Sequence, residues 1–267
     1  MGKKAESPIT PRRRKPAGRK AATASGLAPP DAPGVLAQLM SLRDAAAAEF
    51  ALRFFKTGPG EYGEGDKFIG IRVPVLRQLA RDLRGAGIEV ALPLLRSGWH
   101  EARLLALFLL VNLYSRADES TRKNIFDLYL KSTKFINGWD LVDSSAAHIV
   151  GAWLADKVGA RRKILTRLAK STSLWERRIA MLATFHYIKN GDYRETFRIA
   201  EVLLNDNEDL IHKAVGWMLR EVGQRIGEDR EEAFLQQHYR DMPRTMLRYA
   251  IERFAEPKRK KYLAGLI

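Results

Sequence analysis

Apolar side chains recur along most of the chain at intervals of three and four residues, which is the spacing of one face of an α-helix. Clear examples are the segments 35–56, 73–85, 101–116, 120–133 and 175–189. Runs in which apolar and polar residues alternate, as in a half-buried strand, do not occur in the sequence. The pattern therefore predicts an all-α protein over residues 35–267.

Several residues mark where these helices begin and end. Pro74 suits the first turn of a helix, because the N–H that proline lacks would have no partner there. Asn137 is followed three residues later by Asp140, a spacing that predicts a helix capped by Asn137 and gives Asp140 a structural role. Gly85 and Gly191 lie where helices are expected to stop.

Residues 58–63 read GPGEYG and match the GxGxxG pattern of dinucleotide-binding loops. That pattern needs a strand before it and a helix directly after it. Here the preceding residues have a helical pattern and the following residues have the composition of a loop. We therefore expect a Gly-rich turn between two helices and no nucleotide site.

Charged and polar residues recur at a fixed interval inside the later helices. Asp143, Arg178, Lys213 and Arg248 are each 35 residues apart, and each lies in an apolar helix of similar composition. Helix pairs of this length stack into an α-solenoid, in which equivalent positions form a row along one surface. Tetratricopeptide and ankyrin consensus residues are missing, so the sequence predicts an α-solenoid of HEAT-like repeats with a basic concave groove.

Tryptophans accompany this row at helical offsets, so that each shares a helix face with a charged residue. The pairs are Trp139 with Asp143, Trp175 with Arg178, and Trp217 with Lys213. A core position explains Trp175 equally well, and ordinary solvated charges are the alternative for Arg178 and Lys213. A carboxylate framed by tryptophans in a groove of Arg and Lys suits a substrate with phosphates outside and a cationic centre inside.

The composition excludes several classes of function. The chain has 267 residues and no cysteine, and its five histidines have no metal-binding spacing, so we expect neither disulfides, nor a metal site, nor a bound cofactor. No apolar run has the roughly 18 residues of a transmembrane helix, and the N-terminus does not resemble a signal peptide. We expect a cytoplasmic protein.

The net charge of +15 favours a polyanionic partner. Residues 1–34 contain eight Lys or Arg and two acidic residues, which leaves +9 on the remainder. This first segment is rich in Pro and Ala and poor in aromatic residues, so we expect a disordered basic arm. Such an arm can contact nucleic acid, serve as an address, or be a solvated tail.

Three motifs in order, GWDLVD, LWERRIAML and LIHKAVGWMLRE, resemble the AlkD-like DNA alkylation repair family of HEAT-repeat DNA glycosylases. The upstream segment 56–81 is also similar, and the resemblance covers roughly residues 34–265. It implies hydrolysis of the N-glycosidic bond of cationic alkylated purines such as 3-methyladenine and 7-methylguanine. The partner would be double-stranded DNA, and the base would not be flipped into a pocket.

The resemblance also implies the residues of the site. By motif, the cleft would contain Trp139, Asp143, Arg178 and Trp217, and these positions hold the family's residue types. The DNA-binding residues would be Lys213, Arg220 and Arg248. The chain departs from the family in its longer Gly-rich loop and in carrying Phe54 or Phe55 where a tyrosine is expected.

Two other functions fit the sequence. A non-catalytic HEAT-like module could bind branched or distorted DNA through the same basic groove, although Asp143 would then oppose phosphate binding. A scaffold for an acidic protein would explain the charge but not the aspartate framed by tryptophans. We expect a monomer, because the groove has to admit a duplex.

Overall fold

The structure is a computed structural model that describes residues 30–267. The helices of the first half are α1 (Ala32–Ser41), α2 (Ala45–Phe54), α3 (Val73–Asp82), α4 (Ile88–Leu95), α5 (His100–Arg116), α6 (Glu119–Lys131) and α7 (Trp139–Asp143). Those of the second half are α8 (Val158–Ala169), α9 (Leu174–Ala183), α10 (Phe185–Lys189), α11 (Arg194–Val202), α12 (Asp209–Arg225), α13 (Glu228–His238), α14 (Arg244–Ala250) and α15 (Glu256–Ala264). Short 3₁₀ helices lie at Thr133–Phe135 and Ile251–Arg253, and a π-helix lies at Ala147–Gly151.

The prediction of an all-α fold is confirmed. Within residues 30–267 the one β contact is an isolated bridge between Lys67 and Trp99. The second helices of successive repeats pack side by side, α7 on α9, α9 on α12, and α12 on α14, while the first helices α8 and α11 lie behind them. The repeats therefore stack as an α-solenoid, and the second helices form one continuous layer.

The core runs the length of the solenoid, and α5 lies deepest within it. Residues 102–110 of α5 are all buried, including the guanidinium-bearing Arg103 near its start. α3 and α4 pack on α5 from one side and α7 from the other. A helix that is apolar on nearly every face is stable only where neighbours surround it, which explains this central position.

Helix starts agree in part with the sequence patterns. Pro74 is in the first turn of α3, as predicted. The expected capping box is wrong: Gly138 precedes α7 without a side-chain cap, and Asp140 accepts hydrogen bonds from His100 instead. A charge-assisted hydrogen bond to a buried partner is stronger than a bond to a backbone amide, so the long-range contact prevails.

The N-terminal boundary of the helical region is set by a local cap. The carboxylate of Asp31 accepts a hydrogen bond from the Gly34 amide at 2.8 Å, and α1 starts at Ala32, inside the last residues of the expected arm. The prediction of disorder for residues 1–29 concerns a segment outside the described residues. Within residues 30–267, no helix combines the length and apolar character needed to cross a bilayer.

Candidate functional site

A cleft of about 740 Å³ opens on the layer of second helices. Five of the seven predicted site residues line it: Trp139, Asp143, Arg178, Lys213 and Trp217. They come from α7, α9 and α12, which are consecutive in the stack. The stacking of repeats therefore brings together side chains that are 35 residues apart in the sequence.

Asp143 is clamped by the arginine of the next repeat. The Nε and Nη2 atoms of Arg178 each donate a hydrogen bond of 2.8 Å, one to each carboxylate oxygen of Asp143. Nη1 of Arg178 donates to the carbonyl of Leu210, and the arginine is only 4% exposed. A bidentate pair of this kind fixes the carboxylate in one orientation, with its remaining lone pairs toward the cleft.

The surroundings of Asp143 have opposing effects on its carboxylate. Burial raises the pKa of Asp143, and the charge and hydrogen bonds of Arg178 counteract part of that rise. The Asp143 side chain is 18% exposed and faces the cleft. In this low-dielectric setting, an anion interacts more strongly with a nearby positive charge than it would in water.

Trp139 belongs to a stack of rings on one side of the cleft. Its indole lies nearly parallel to the ring of Phe55, with centroids 5.2 Å apart, while Phe54 meets it edge-on at 5.9 Å. Phe55 packs in turn on Phe68 and on the imidazole of His100. The two phenylalanines at the expected tyrosine position thus support the tryptophan rather than offering a hydroxyl.

The imidazole of His100, at the end of this stack, pairs with two aspartates. Nδ1 of His100 is 2.7 Å from Asp66, and Nε2 is 2.8 Å from Asp140. Burial disfavours the charged imidazole, but the hydrogen bonds to Asp140 and Asp66 outweigh it and raise the pKa of His100 to about 9. Arg103 also binds Asp66, at 2.7 and 2.8 Å. This cluster fixes the start of α7, and with it Trp139.

Trp217 and Lys213 form the opposite side of the cleft. The indole N–H of Trp217 donates to the buried carboxylate of Glu221 at 3.1 Å, which fixes the plane of the ring. Phe185 lies 6.1 Å away from it, centroid to centroid. The ammonium of Lys213 pairs with Asp209 at 2.7 Å and remains partly exposed at the cleft.

The other two predicted residues lie outside the cleft. Arg220 is mostly buried and pairs with Glu252. Arg248 is exposed on α14, directly before Tyr249, which does line the cleft. Trp175 is 9% exposed and packs in the core, in agreement with the core alternative for that residue.

The Gly-rich loop and the residues directly before it supply three cleft residues that the sequence interpretation missed, Lys56, Glu61 and Tyr62. The amide of Gly63 donates to the carbonyl of Lys56, so the loop folds back on itself. Tyr62 then meets the indole of Trp175 edge-on at 6.0 Å, and burial raises the pKa of its hydroxyl. The glycine spacing predicted a turn, but no signal in it indicated that the turn closes over the cleft.

No cluster of three or more histidine, aspartate or glutamate side chains suitable for a metal occurs in the part of the chain from residue 30 onward. Four carboxylates line the cleft, those of Glu61, Glu208, Asp209 and Asp143, and Asp143 is the one that Arg178 clamps. Asp143 shares this space with the indoles of Trp139 and Trp217 and with the ammonium groups of Lys56 and Lys213.

Comparisons with known proteins bear on the family and the fold of the chain. The family model described as "DNA alkylation repair enzyme" matches residues 35–254. A solved structure, a predicted DNA alkylation repair enzyme from Enterococcus faecalis, superposes with a TM-score of 0.62 at 16% identity, covering 80% of this chain and 97% of that one. At this identity the likeness concerns the fold alone. The search of curated proteins returned no match. On the family match over most of its length, the chain belongs to the DNA alkylation repair enzyme family.

Proposed function

We propose that this protein is a DNA glycosylase that hydrolyses the N-glycosidic bond of cationic alkylated purines in duplex DNA, as the first step of base excision repair. The observation that carries the proposal is the Asp143 carboxylate, clamped by buried Arg178 in a cleft bordered by Trp139 and Trp217. A protein that only bound phosphates would gain nothing from a fixed anion at that point.

A single carboxylate is sufficient for this reaction. A 7-methylguanine or 3-methyladenine base already carries a positive charge, so no general acid is needed to make it a leaving group. The bond between C1′ and the base nitrogen breaks, and its electron pair stays on the purine, which leaves as a neutral molecule. Water adds to C1′, and its proton passes to the Asp143 carboxylate.

Asp143 acts on the transition state more than on the ground state. As the glycosidic bond lengthens, positive charge develops on the deoxyribose, and a fixed anion close to it lowers the barrier. Arg178 is then a positioning residue, because its donors are taken up by Asp143 and by the Leu210 carbonyl. The clamp removes the need to reorient the carboxylate during the reaction.

The remaining residues select and hold the substrate. The ring faces of Trp139 and Trp217 attract a cationic base by about 0.5–2 kcal/mol, an attraction that neutral bases lack. Lys213, Lys56 and the exposed Arg248 contact phosphates of the duplex, and these contacts set affinity without reading sequence. Arg220 contributes through its pairing with Glu252, which joins α12 to the 3₁₀ turn after α14. One protein chain would act on one duplex.

The proposal is tested with a duplex that contains a single 7-methylguanine. Excision is measured as strand cleavage at the abasic site after alkali, with wild type and Asp143→Asn compared under single-turnover conditions. We expect the substitution to lower the rate on the order of a hundredfold or more, because a preorganised charge is lost. Duplex affinity, measured by fluorescence anisotropy, should stay near the wild-type value.

Asp229→Asn is the matched control, since Asp229 is exposed on α13 outside the cleft and the change of charge is the same. It should excise at the native rate. Native excision by Asp143→Asn would contradict the mechanism. A wild-type protein that binds duplex or branched DNA tightly and excises nothing would favour the non-catalytic DNA-binding module.

A further inference from the structure

A second group of basic side chains lies beside the cleft, apart from Lys213 and Lys56. We call Arg77, His148, His186, Lys189 and Arg225 the second cationic row, in which the two histidines are cations only when protonated. Its members come from α3, the π-helix, α10 and α12, and α10 contributes two of them. Neither the sequence motifs nor the chemistry proposed above uses any of these five residues.

Two hollows connect the first members of the row. One, of about 440 Å³, is lined by Arg77, His148 and Asp143 among others, and the next, of about 310 Å³, by His148, His186 and Lys189. The two hollows share His148 and therefore adjoin. Asp143 borders both the first hollow and the cleft, so the second row begins directly beside the candidate catalytic carboxylate.

Aromatic rings support the three Arg and Lys side chains of the row. The guanidinium of Arg77 lies 4.6 Å from the centroid of Phe108. The cationic groups of Lys189 and Arg225 lie 4.9 and 5.2 Å from the centroid of the same ring, Phe185. Ring faces hold a cation in place without neutralising it.

Most of the row has no counter-charge. Between residues 30 and 267, no carboxylate lies within salt-bridge distance of Arg77, His148, His186 or Lys189; Arg225 alone is paired, with Glu221 at 2.6 Å. The one acidic side chain that lines the hollows is Asp143, whose charge is paired with Arg178. Arg77 and Lys189 therefore carry charges that no carboxylate offsets, which favours the binding of an anion there.

The titration of these groups agrees with mutual repulsion. Burial lowers the pKa of Lys189, and the charge of Arg225 lowers it further. Burial likewise lowers the pKa of His148, with added contributions from Lys189 and Arg77, and that of His186, with contributions from Lys189 and His148. Both histidines are therefore poised to take up a proton when an anion approaches.

The distance across the layer fits a duplex. Lys213 and Arg225 are twelve residues apart on α12, which corresponds to about 18 Å along the helix, with Trp217 between them. Cations on both sides of the cleft residues match a ligand with two charged backbones on either side of a groove. A single-stranded nucleic acid or an acidic peptide would need only one of the two rows.

We propose that the second cationic row binds the phosphates of one strand of duplex DNA, while Lys213 and Lys56 contact the other strand across the cleft. The inference rests on the proposed function, because it takes duplex DNA as the ligand. It adds the row that holds the second strand and a coupling of DNA binding to proton uptake by His148 and His186.

The test is the salt dependence of binding to an unmodified fluorescent 20-mer duplex, measured by anisotropy with the full chain. Each phosphate contact contributes about 0.9 to the slope of log K against log salt. Lys189→Gln should therefore reduce the slope by about 0.9. Lys163→Gln, which removes an exposed lysine of α8 that lines neither the hollows nor the cleft, should leave the slope unchanged.

Proton uptake gives an independent measurement. Wild-type affinity at fixed salt should rise between pH 7.5 and pH 5.5, by up to about tenfold for each histidine whose pKa rises by one unit on binding. The double variant His148→Gln, His186→Gln should lose most of this rise. An equal rise in both proteins would show that other groups take up the protons.

The outcomes separate this inference from the proposed function. Equal salt slopes of duplex binding for Lys189→Gln and Lys163→Gln would overturn the role of the second cationic row. In that case, excision of 7-methylguanine by a saturating concentration of wild type would still support the glycosylase. A reduced slope for Lys189→Gln in a protein that excises nothing would keep the row and overturn the enzyme. The two-strand arrangement would be contradicted if wild type showed the same salt slope on single-stranded DNA as on the duplex, and if Lys189→Gln lowered that slope.

Discussion

Asp140 and Asp143 are one helical turn apart on α7, and their neighbours give them different tasks. Asp140 accepts hydrogen bonds from His100 and fixes the start of the helix beneath Trp139. Asp143 is held from the other side by Arg178 and borders the cleft. The same carboxylate group is thus a structural anchor at one position and the proposed catalytic anion at the next.

At the scale of single residues, the ring face of Trp217 also contributes to the binding of a cationic base, and two substitutions isolate this contribution. Trp217→Phe and Trp217→Leu both lose the hydrogen bond to Glu221, but only phenylalanine keeps a ring face toward a cationic base. We expect Trp217→Leu to excise 7-methylguanine about 2- to 30-fold more slowly than Trp217→Phe, which corresponds to a cation–π energy of ~0.5–2 kcal/mol. Single-turnover rates measure the difference, and equal rates would exclude a cation–π role.

At the scale of elements, the second helices approach closely where a glycine allows it. A Cβ at Gly216 of α12 would collide with the Met246 carbonyl and with Cβ of Tyr249 on α14. A Cβ at Gly151 would collide in the same way with the Ala183 carbonyl and with Cβ of His186. These contacts set the spacing between repeats, and therefore the width of the cleft.

Gly216→Ala should consequently destabilise the protein. The added methyl group meets backbone and Cβ atoms that cannot move aside, which costs about 1–3 kcal/mol in a packed interface. Gly159→Ala is the control, because a Cβ at this exposed position of α8 meets nothing within 4 Å. Gly159→Ala should stabilise the protein by ~0.4–1 kcal/mol, because alanine lowers the conformational entropy of the unfolded chain. Urea denaturation of both variants measures the difference, and similar stabilities would contradict the tight approach at Gly216.

For the whole molecule, the His100 cluster joins three parts of the chain that are distant in sequence. Asp66 follows the Gly-rich loop, His100 opens α5, and Asp140 lies in α7. The protonated imidazole bridges two carboxylates in the interior, where its charge is fully compensated. The loop over the cleft and the helix that carries Asp143 are therefore held by the same ion.

This bridge makes stability depend on pH in a defined direction. The pKa of His100 rises from 6.5 to about 9 on folding, so its contribution is complete below pH 6.5 and is lost as the pH rises through 9. A shift of this size corresponds to roughly 3 kcal/mol. The melting temperature of wild type should fall more steeply between pH 6.5 and 9.5 than that of His100→Gln. Parallel curves, or a His100 that titrates near 6.5 by NMR, would contradict the bridge.

The distribution of paired and unpaired cations is a further feature of the whole molecule. Many cations of the helical region are paired, as Arg177 is with Asp206 at 2.6 Å, whereas most of the second cationic row is not. Arg77 and Lys189, which have no carboxylate partner among residues 30–267, line the two hollows beside the cleft. Part of the excess of +9 that the sequence assigns to residues beyond 34 therefore lies where a polyanion would bind.

The helical fold, the 35-residue repeat and five residues that line the cleft were predictable from the amino-acid sequence. Helical periodicity depends only on neighbouring residues and can therefore be recognised in the sequence. Because the repeats have a fixed length, residues spaced 35 apart take equivalent positions in successive repeats, and Asp143, Arg178 and Lys213 lie on one surface. The start of α3 at Pro74 was predictable for the same reason, since a cap depends only on its immediate neighbours.

The pairing of side chains across that row, and the loop residues that reach the cleft, follow from the three-dimensional fold. The Asp143–Arg178 clamp, the binding of Asp140 by His100 and the pairing of Arg220 with Glu252 each join residues more than thirty positions apart. Such contacts depend on how helices stack and how loops return, which no local pattern encodes. The entry of Tyr62 into the cleft, and the second cationic row spread over four elements, became visible for this reason only in three dimensions.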